Sequence, residues 1–238
     1  MTDNAQVLTY RPLPGARLDM AHPLTKGLVG CWLLNEGGYR AMDLSPYGNH
    51  GTLVGFASPV RRPFNGLTFD GAATYVNLGS NSRIRNFTAM SCIIWLKTKL
   101  KAGVSYQHII DSGRWASTYG YVLNQDDAAQ SINPFLRNSA GTSANLTVVP
   151  FVDNVWLQTG WTWNGTTGYS IQNGRLLAGI AATGSIISSC NPILSGRADA
   201  VTLNHWAGII AAFMLWNRAL APLEVKQNYQ NPYGMILR

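Results

Sequence analysis

Acid–base chemistry on a β-rich scaffold needs carboxylates, and glutamate is scarce here: Glu36 and Glu224 are the two glutamates among 238 residues. Retaining glycosidases place two carboxyls about 5–5.5 Å apart, one of them protonated, and no alternating acidic triplet sets such a pair on one strand face. Asp126 and Asp127 are adjacent, so a strand would turn them to opposite faces; in a loop they read as a solvated turn or an ion ligand. The four histidines, His22, His50, His108 and His205, lack metal-ligand spacing with one another. No nucleophile elbow, phosphate-binding loop, dinucleotide fingerprint or zinc-protease motif occurs. The chain is therefore expected to be non-enzymatic and to need no cofactor.

Aromatic residues are better represented, with eight Trp, ten Tyr and seven Phe. A sugar offers an apolar face and a rim of hydroxyls, which suits a flat ring beside Asn, Asp or Arg. Asp111, Arg114, Trp115, Tyr119 and Asn124 supply that mixture and are the candidate carbohydrate-binding residues; the same rings also suit sandwich packing. Cys31, Cys92 and Cys190 are widely spaced, with no zinc-type pair, and the first two sit in apolar runs. Charged residues are 12% of the chain, about half the usual share of roughly 25%. The net charge is +7, and Arg83, Arg85, Lys97, Lys99 and Lys101 fall in a window without acids. On a strand, Lys97, Lys99 and Lys101 would line one face, but no nucleic-acid motif accompanies them. Nucleic acid is not an expected partner, and neither is a membrane, because no apolar run reaches the length of a span.

These residues must be positioned by strands. Residues 88–100 alternate, with Cys92, Ile94 and Leu96 on one side and Ile93, Trp95 and Lys97 on the other. Further short strands are expected at 106–111, 119–124, 134–137, 145–149, 155–163, 168–172 and 175–179. Asp70-Gly71, Asn164-Gly165 and Asn173-Gly174 are hairpin dipeptides. Residues 206–216 are apolar on both faces and read as a central strand. One short helix starts at Pro222, with Leu223, Val225 and Tyr229 facing inward. Residues 1–26, with Pro12, Pro14, Gly15 and Pro23, read as an extended N-terminal arm, and 27–238 as one all-β domain of two antiparallel sheets.

Four stretches, in order, resemble the laminin-G-like, concanavalin A-like lectin/glucanase domain. They are Gly27-Leu28-Val29-Gly30-Cys31-Trp32-Leu33-Leu34-Asn35-Glu36-Gly37, then Asp43-Leu44-Ser45-Pro46-Tyr47-Gly48-Asn49-His50-Gly51-Thr52-Leu53, then Leu67-Thr68-Phe69-Asp70-Gly71 with Tyr75-Val76. The last runs from Gly208 to Trp216-Asn217-Arg218-Ala219-Leu220 and Glu224. The resemblance implies a jelly-roll sandwich that binds glycans or proteins. It places a structural Ca²⁺ near Asp43 and Asn49, but Ala211-Ala212 stand where the family carries an acidic pair, so a metal is not expected.

Arg11-Pro12-Leu13-Pro14-Gly15-Ala16-Arg17-Leu18, His22-Pro23-Leu24 and Asn231-Pro232-Tyr233 resemble laminin-G-like proteins of tailed bacteriophages. That resemblance implies a virion structural protein, a capsid decoration or other surface component, made in the host bacterial cytoplasm. Its partners would be capsid or tail subunits and further copies of itself. The expected assembly contacts are Arg11, Pro12, Leu13 and Tyr233. The alternative is a glycan-binding adhesion module of a phage tail or fibre.

Overall fold

The computed structural model describes residues 11–57, 66–101, 106–113, 120–196 and 204–237. In chain order the strands are β1 (Arg17–Leu18), β2 (Leu28–Trp32), β3 (Arg40–Ala41), β4 (Gly51–Val54), β5 (Leu67–Asp70), β6 (Tyr75–Asn77) and β7 (Asn86–Phe87). They continue as β8 (Met90–Thr98), β9 (Gln107–Asp111), β10 (Gly120–Asp126), β11 (Ser131–Arg137), β12 (Ser143–Asn145), β13 (Val149–Pro150) and β14 (Trp156–Trp163). The last are β15 (Thr167–Gln172), β16 (Arg175–Ala181), β17 (Ile186–Ile187), β18 (Ile193–Leu194), β19 (Ala207–Trp216) and β20 (Ile236–Leu237), with helix α1 (Pro222–Gln230) before β20.

Alternation along these strands gives each sheet one apolar face, and two such faces close on each other. A nine-stranded sheet runs β12-β11-β10-β9-β18-β6-β4-β3, with β13 also on β11. A seven-stranded sheet runs β16-β15-β14-β8-β19-β2, with β5 also on β19. Cys92, Ile94 and Leu96 join the core between the sheets, while Ile93 and Trp95 face the other way. Trp32 stacks on Phe213 in that core at 5.2 Å between centroids.

The outer face of the seven-stranded sheet carries a second apolar layer. Leu18 and Leu24 from the lead-in, Val225 from α1, and Tyr233, Met235 and Ile236 from the tail cover Ile93, Trp95, Met214 and Trp216. The Trp216 indole donates to Leu24 O at 2.7 Å, and Trp95 stacks on Tyr229 at 5.5 Å. Residues 11–26, expected as an arm, thus lie on the domain as far as they are described. The reason is that Trp95, Met214 and Trp216 leave an apolar face that needs a cover.

Three local expectations are corrected. The Asp70-Gly71 turn does not join a hairpin: β5 pairs with β19 in one sheet and β6 with β4 and β18 in the other. The Asp70 carboxylate accepts from the Ala72, Ala73 and Thr74 amides and the Thr74 hydroxyl, which turns the chain from sheet to sheet. Lys97, Lys99 and Lys101 do not line one strand face, because β8 ends at Thr98. Lys97 lies over the Trp156 ring, whereas the Lys101 ammonium donates to Gly71 O. Leu223 is 66% exposed, since the helical turn that buries Val225 and Asn228 points position 223 outward.

Helix α1 is fixed at its start by Glu224, which accepts the Ala221 amide at 2.9 Å and both Arg218 Nη atoms at 2.7 and 2.8 Å. Those Arg218 bonds hold the Glu224 carboxyl below its usual range, against a smaller opposing effect of burial. A depressed folded pKa gives stability that is present above the unfolded pKa and lost as pH falls through the folded one. Glu224→Gln is expected to cost about 1 kcal/mol at neutral pH. The difference from wild type should shrink once the pH drops below about 4.3. Urea titrations at neutral and acid pH check this, and a pH-independent difference would contradict it.

Candidate functional site

Two places gather the residues singled out in the sequence. At the first, β1 pairs with β20 in a two-stranded sheet, Arg17 opposite Leu237 and Leu18 opposite Ile236. This pairing brings the lead-in and the tail together around a cleft of about 440 Å³ lined by Arg11, Pro12, Leu13, Pro14, Tyr233 and Leu237, among others. All four expected assembly residues are in this lining. Arg11 is mostly buried; its Nη2 donates to Leu33 O and, at 2.7 Å, to Ala211 O. Asn35 Nδ2 donates to Pro12 O at 2.6 Å. Burial lowers the Arg11 pKa and pushes the Tyr233 phenol up to about 12, while the Arg11 charge pulls it the other way. The rim is apolar: Leu13 is 73% and Leu237 53% exposed.

Ala211 shows how the floor of this site is made. In the β19–β8 ladder Ile210 opposes Leu96 and Ala212 opposes Trp95, so Ala211 is an extra, bulged residue. A bulge turns two successive side chains to one side, and both alanine methyls lie in the outer apolar layer. The freed Ala211 carbonyl then takes the Arg11 guanidinium.

The second place is the outer face of the nine-stranded sheet. Asn124 opposes His108 and Val122 opposes Asp111, while Ile109 has no partner in the β9–β10 register. This bulge puts Ile109 and Ile110 both into the inner core and turns His108 and Asp111 to the same outer side. His108 Nδ1 lies 2.7 Å from Asp111 Oδ2, and Asp111 Oδ1 accepts the Gly113 amide at 2.6 Å. His108 and Asp111 are 0% exposed and Asn124 1%. Asn124 Oδ1 and Nδ2 and His108 Nε2 are buried without a hydrogen-bond partner among the described residues. Asp111 and Asn124 therefore lie on the same side of the sheet, each beside His108, but beneath the surface, where a sugar does not touch them in this conformation. Arg114, Trp115 and Tyr119 lie outside the described residues. His108 was missed in the sequence because a spacing of three residues on a regular strand points to opposite faces; only the bulge pairs it with Asp111.

Asp43 and Asn49, the residues suggested for calcium, form a different device. Asp43 Oδ1 accepts the Cys31 and Ser45 amides, each at 2.8 Å. Its Oδ2 accepts the Ser45 hydroxyl at 2.5 Å and the Asn49 amide at 2.8 Å. Asn49 Nδ2 donates to Val29 O at 2.8 Å, and the Trp32 indole donates to Asn49 O at 2.8 Å. Calcium takes six to eight oxygens, yet both Asp43 oxygens already accept from N–H or O–H groups, and Ala211-Ala212 add no carboxylate. Among the described residues no three His, Cys, Asp or Glu side chains group as metal ligands. Asn49 Oδ1 is buried without a partner among the described residues, but one amide oxygen beside a carboxylate already filled by N–H and O–H donors falls short of the six to eight oxygens calcium takes, and the residues present do not fit the ion. Asp127 is likewise structural, accepting from Gln107, Gln125 and the Lys101 amide, while Asp126 closes a turn onto the Ala128 and Ala129 amides.

Two antiparallel sheets in jelly-roll order, enclosing one core and carrying loops and a side layer around it, define a lectin-like β-sandwich. The chain belongs to the concanavalin A-like lectin/glucanases superfamily: the Laminin_G_3 family matches residues 70–226. Solved structures share the fold at low identity. The receptor-binding domain of botulinum neurotoxin C/D mosaic serotype is 14% identical with a TM-score of 0.65, over 87% of this chain and 51% of that one. The binding domain of Paraclostridial Mosquitocidal Protein 1 is 13% identical with a TM-score of 0.63, over 89% and 53%. A Trypanosoma rangeli sialidase mutant displaying trans-sialidase activity is 16% identical with a TM-score of 0.63, over 91% and 36%. The chain spans about half the length, or less, of these solved chains, and the likeness is one of fold. Comparison with curated proteins returns no match.

Proposed function

We propose that this chain is a non-enzymatic structural protein of a bacteriophage particle, a capsid decoration or other surface component docked to a neighbouring virion subunit. The observation that carries this reading is the convergence of Arg11, Pro12, Leu13 and Tyr233, from opposite ends of the chain, on one cleft with an apolar rim. Four acids in structural roles support a non-catalytic reading: Glu224 is held by Arg218, Asp43 and Asp127 tether loops, and Asp111 is shut in beside His108. Low overall charge suits a body that spends its life against other subunits. Leu13 and Leu237 are exposed, so Leu13→Asp and Leu237→Asp should fold normally. Each is expected to weaken binding to particles assembled without the protein by about 30-fold, as loss of an apolar hot spot does. Co-sedimentation of the purified full chain with such particles measures it; undiminished binding by both variants overturns the reading.

A second reading, glycan recognition by a phage adhesion module, rests on the His108–Asp111 pair. Asp111 grips the Gly113 amide at the end of β9, so the buried cluster would shape the backbone there rather than touch the sugar. A broad glycan array tests it: binding abolished in Trp115→Ala and Tyr119→Ala would support this role, and no hit would remove it.

A further inference from the structure

An open strand edge is a template for pairing, and proteins guard such edges with charge, proline or brevity. Strand β16 closes one side of the seven-stranded sheet and, among the described residues, pairs with β15 alone. It is seven residues long and reads Leu176-Leu177-Ala178-Gly179-Ile180-Ala181 after Arg175, with no charge or proline in that run. Ala178, Gly179 and Ala181 are exposed and Leu177 and Ile180 half-buried, so the edge is open from Gly179 to Ala181. The register with β15 slips between Tyr169 and Ile171, which confines the irregularity to Leu177–Ala178. Beyond it the ladder is regular, and the Ala182 amide extends it to Thr166 O at 2.8 Å.

The surroundings of this edge are neutral as well. Between Arg137 and Arg197 the chain carries two charged residues, Asp153 and Arg175, whose charges cancel. That segment builds β12 to β18, including the β12 edge of the other sheet. Thr147 Oγ1 bonds Ala178 O at 2.9 Å, joining the two edges into one flank. The net charge of +7 therefore resides elsewhere, so this flank opposes the approach of a second copy less than the cationic parts of the chain do.

We propose that β16 pairs antiparallel with β16 of a second copy about a two-fold axis at Ile180, joining the two seven-stranded sheets edge to edge. This register sets Ile180 opposite Ile180 and Gly179 opposite Ala181 of the other copy, so an isoleucine pair flanked by small residues forms the seam and no like charges face each other. Gly179 is held small from within, since a Cβ there would come 2.6 Å from the Tyr169 ring.

The test uses the full chain in sedimentation velocity across the micromolar range. Wild type is expected at twice 25.9 kDa. Ala181→Lys and Ala181→Asp change an exposed side chain and should keep the fold, checked by circular dichroism. Each alone is expected to weaken self-association by more than about 10-fold, because the two like charges sit diagonally across the seam about 7–8 Å apart. An equimolar mixture of the two variants should restore the dimer through Lys–Asp pairing. A monomeric wild type, a dimer untouched by Ala181→Lys, or a mixture that stays monomeric would each overturn the proposal.

Discussion

Asp43→Ala is expected to destabilise the domain by about 3–5 kcal/mol, because it orphans three amides at once. Asp43 is 5% exposed and ties the loop at 43–50 to β2 through Cys31, Ser45 and Asn49. The cost arises from the stranded donors more than from the lost charge. Amides of Cys31, Ser45 and Asn49 are satisfied by one buried carboxylate, and an alanine methyl offers them no acceptor. For a chain of this length the shift in Tm is about 2–4 °C per kcal/mol, so thermal and urea unfolding should both register a large effect. Asp43→Asn is the informative partner. It keeps one acceptor for Cys31 and Ser45 but turns an NH₂ toward the Asn49 amide, and about half the loss is expected. Calcium and chelator should leave the wild-type Tm unchanged. A rise of several degrees with calcium would show that the carboxylate serves an ion instead of the loop.

Gly160→Ala is expected to cost on the order of 4 kcal/mol, from backbone strain and collision together. Gly160 lies in mid-β14 with φ of +136°, opposite Ile93 of β8 and Ile171 of β15. A Cβ there would lie 2.0 Å from Cys92 O, and β8 cannot retreat without opening the ladder at the centre of the sheet. Gly79 separates the two causes. Its φ is also positive, +83°, but nothing lies within 4 Å of a Cβ built on it. Gly79→Ala should therefore cost only the conformational part, about 1 kcal/mol. Soluble yield and urea midpoints of the two variants check this; equal losses would mean that the close approach at Cys92 carries no weight.

Much of the architecture was legible in the residues themselves. Strict alternation across 88–100 set Cys92, Ile94 and Leu96 on one face and Ile93 and Trp95 on the other, as the two apolar layers have them. Asn164-Gly165 and Asn173-Gly174 marked real hairpins, with Trp163 opposite Gly168 and Gln172 opposite Arg175. Pro222 and Glu224 marked the start of α1. All of these depend on interactions within a few residues, so local sequence suffices to determine them.

What tertiary structure alone decided depends on partners far along the chain. Asp70-Gly71 has the chemistry of a hairpin, yet β19, more than a hundred residues later, takes β5 and leaves β6 to the other sheet. The bulges at Ile109 and Ala211 arise from pairing with β10 and β8, and each reverses which side chains share a face. One joins His108 to Asp111; the other frees a carbonyl for Arg11. Likewise, Arg11 and Tyr233 stand at opposite ends of the sequence, and only the exposed apolar face of the seven-stranded sheet, which both ends cover, brings them to one site.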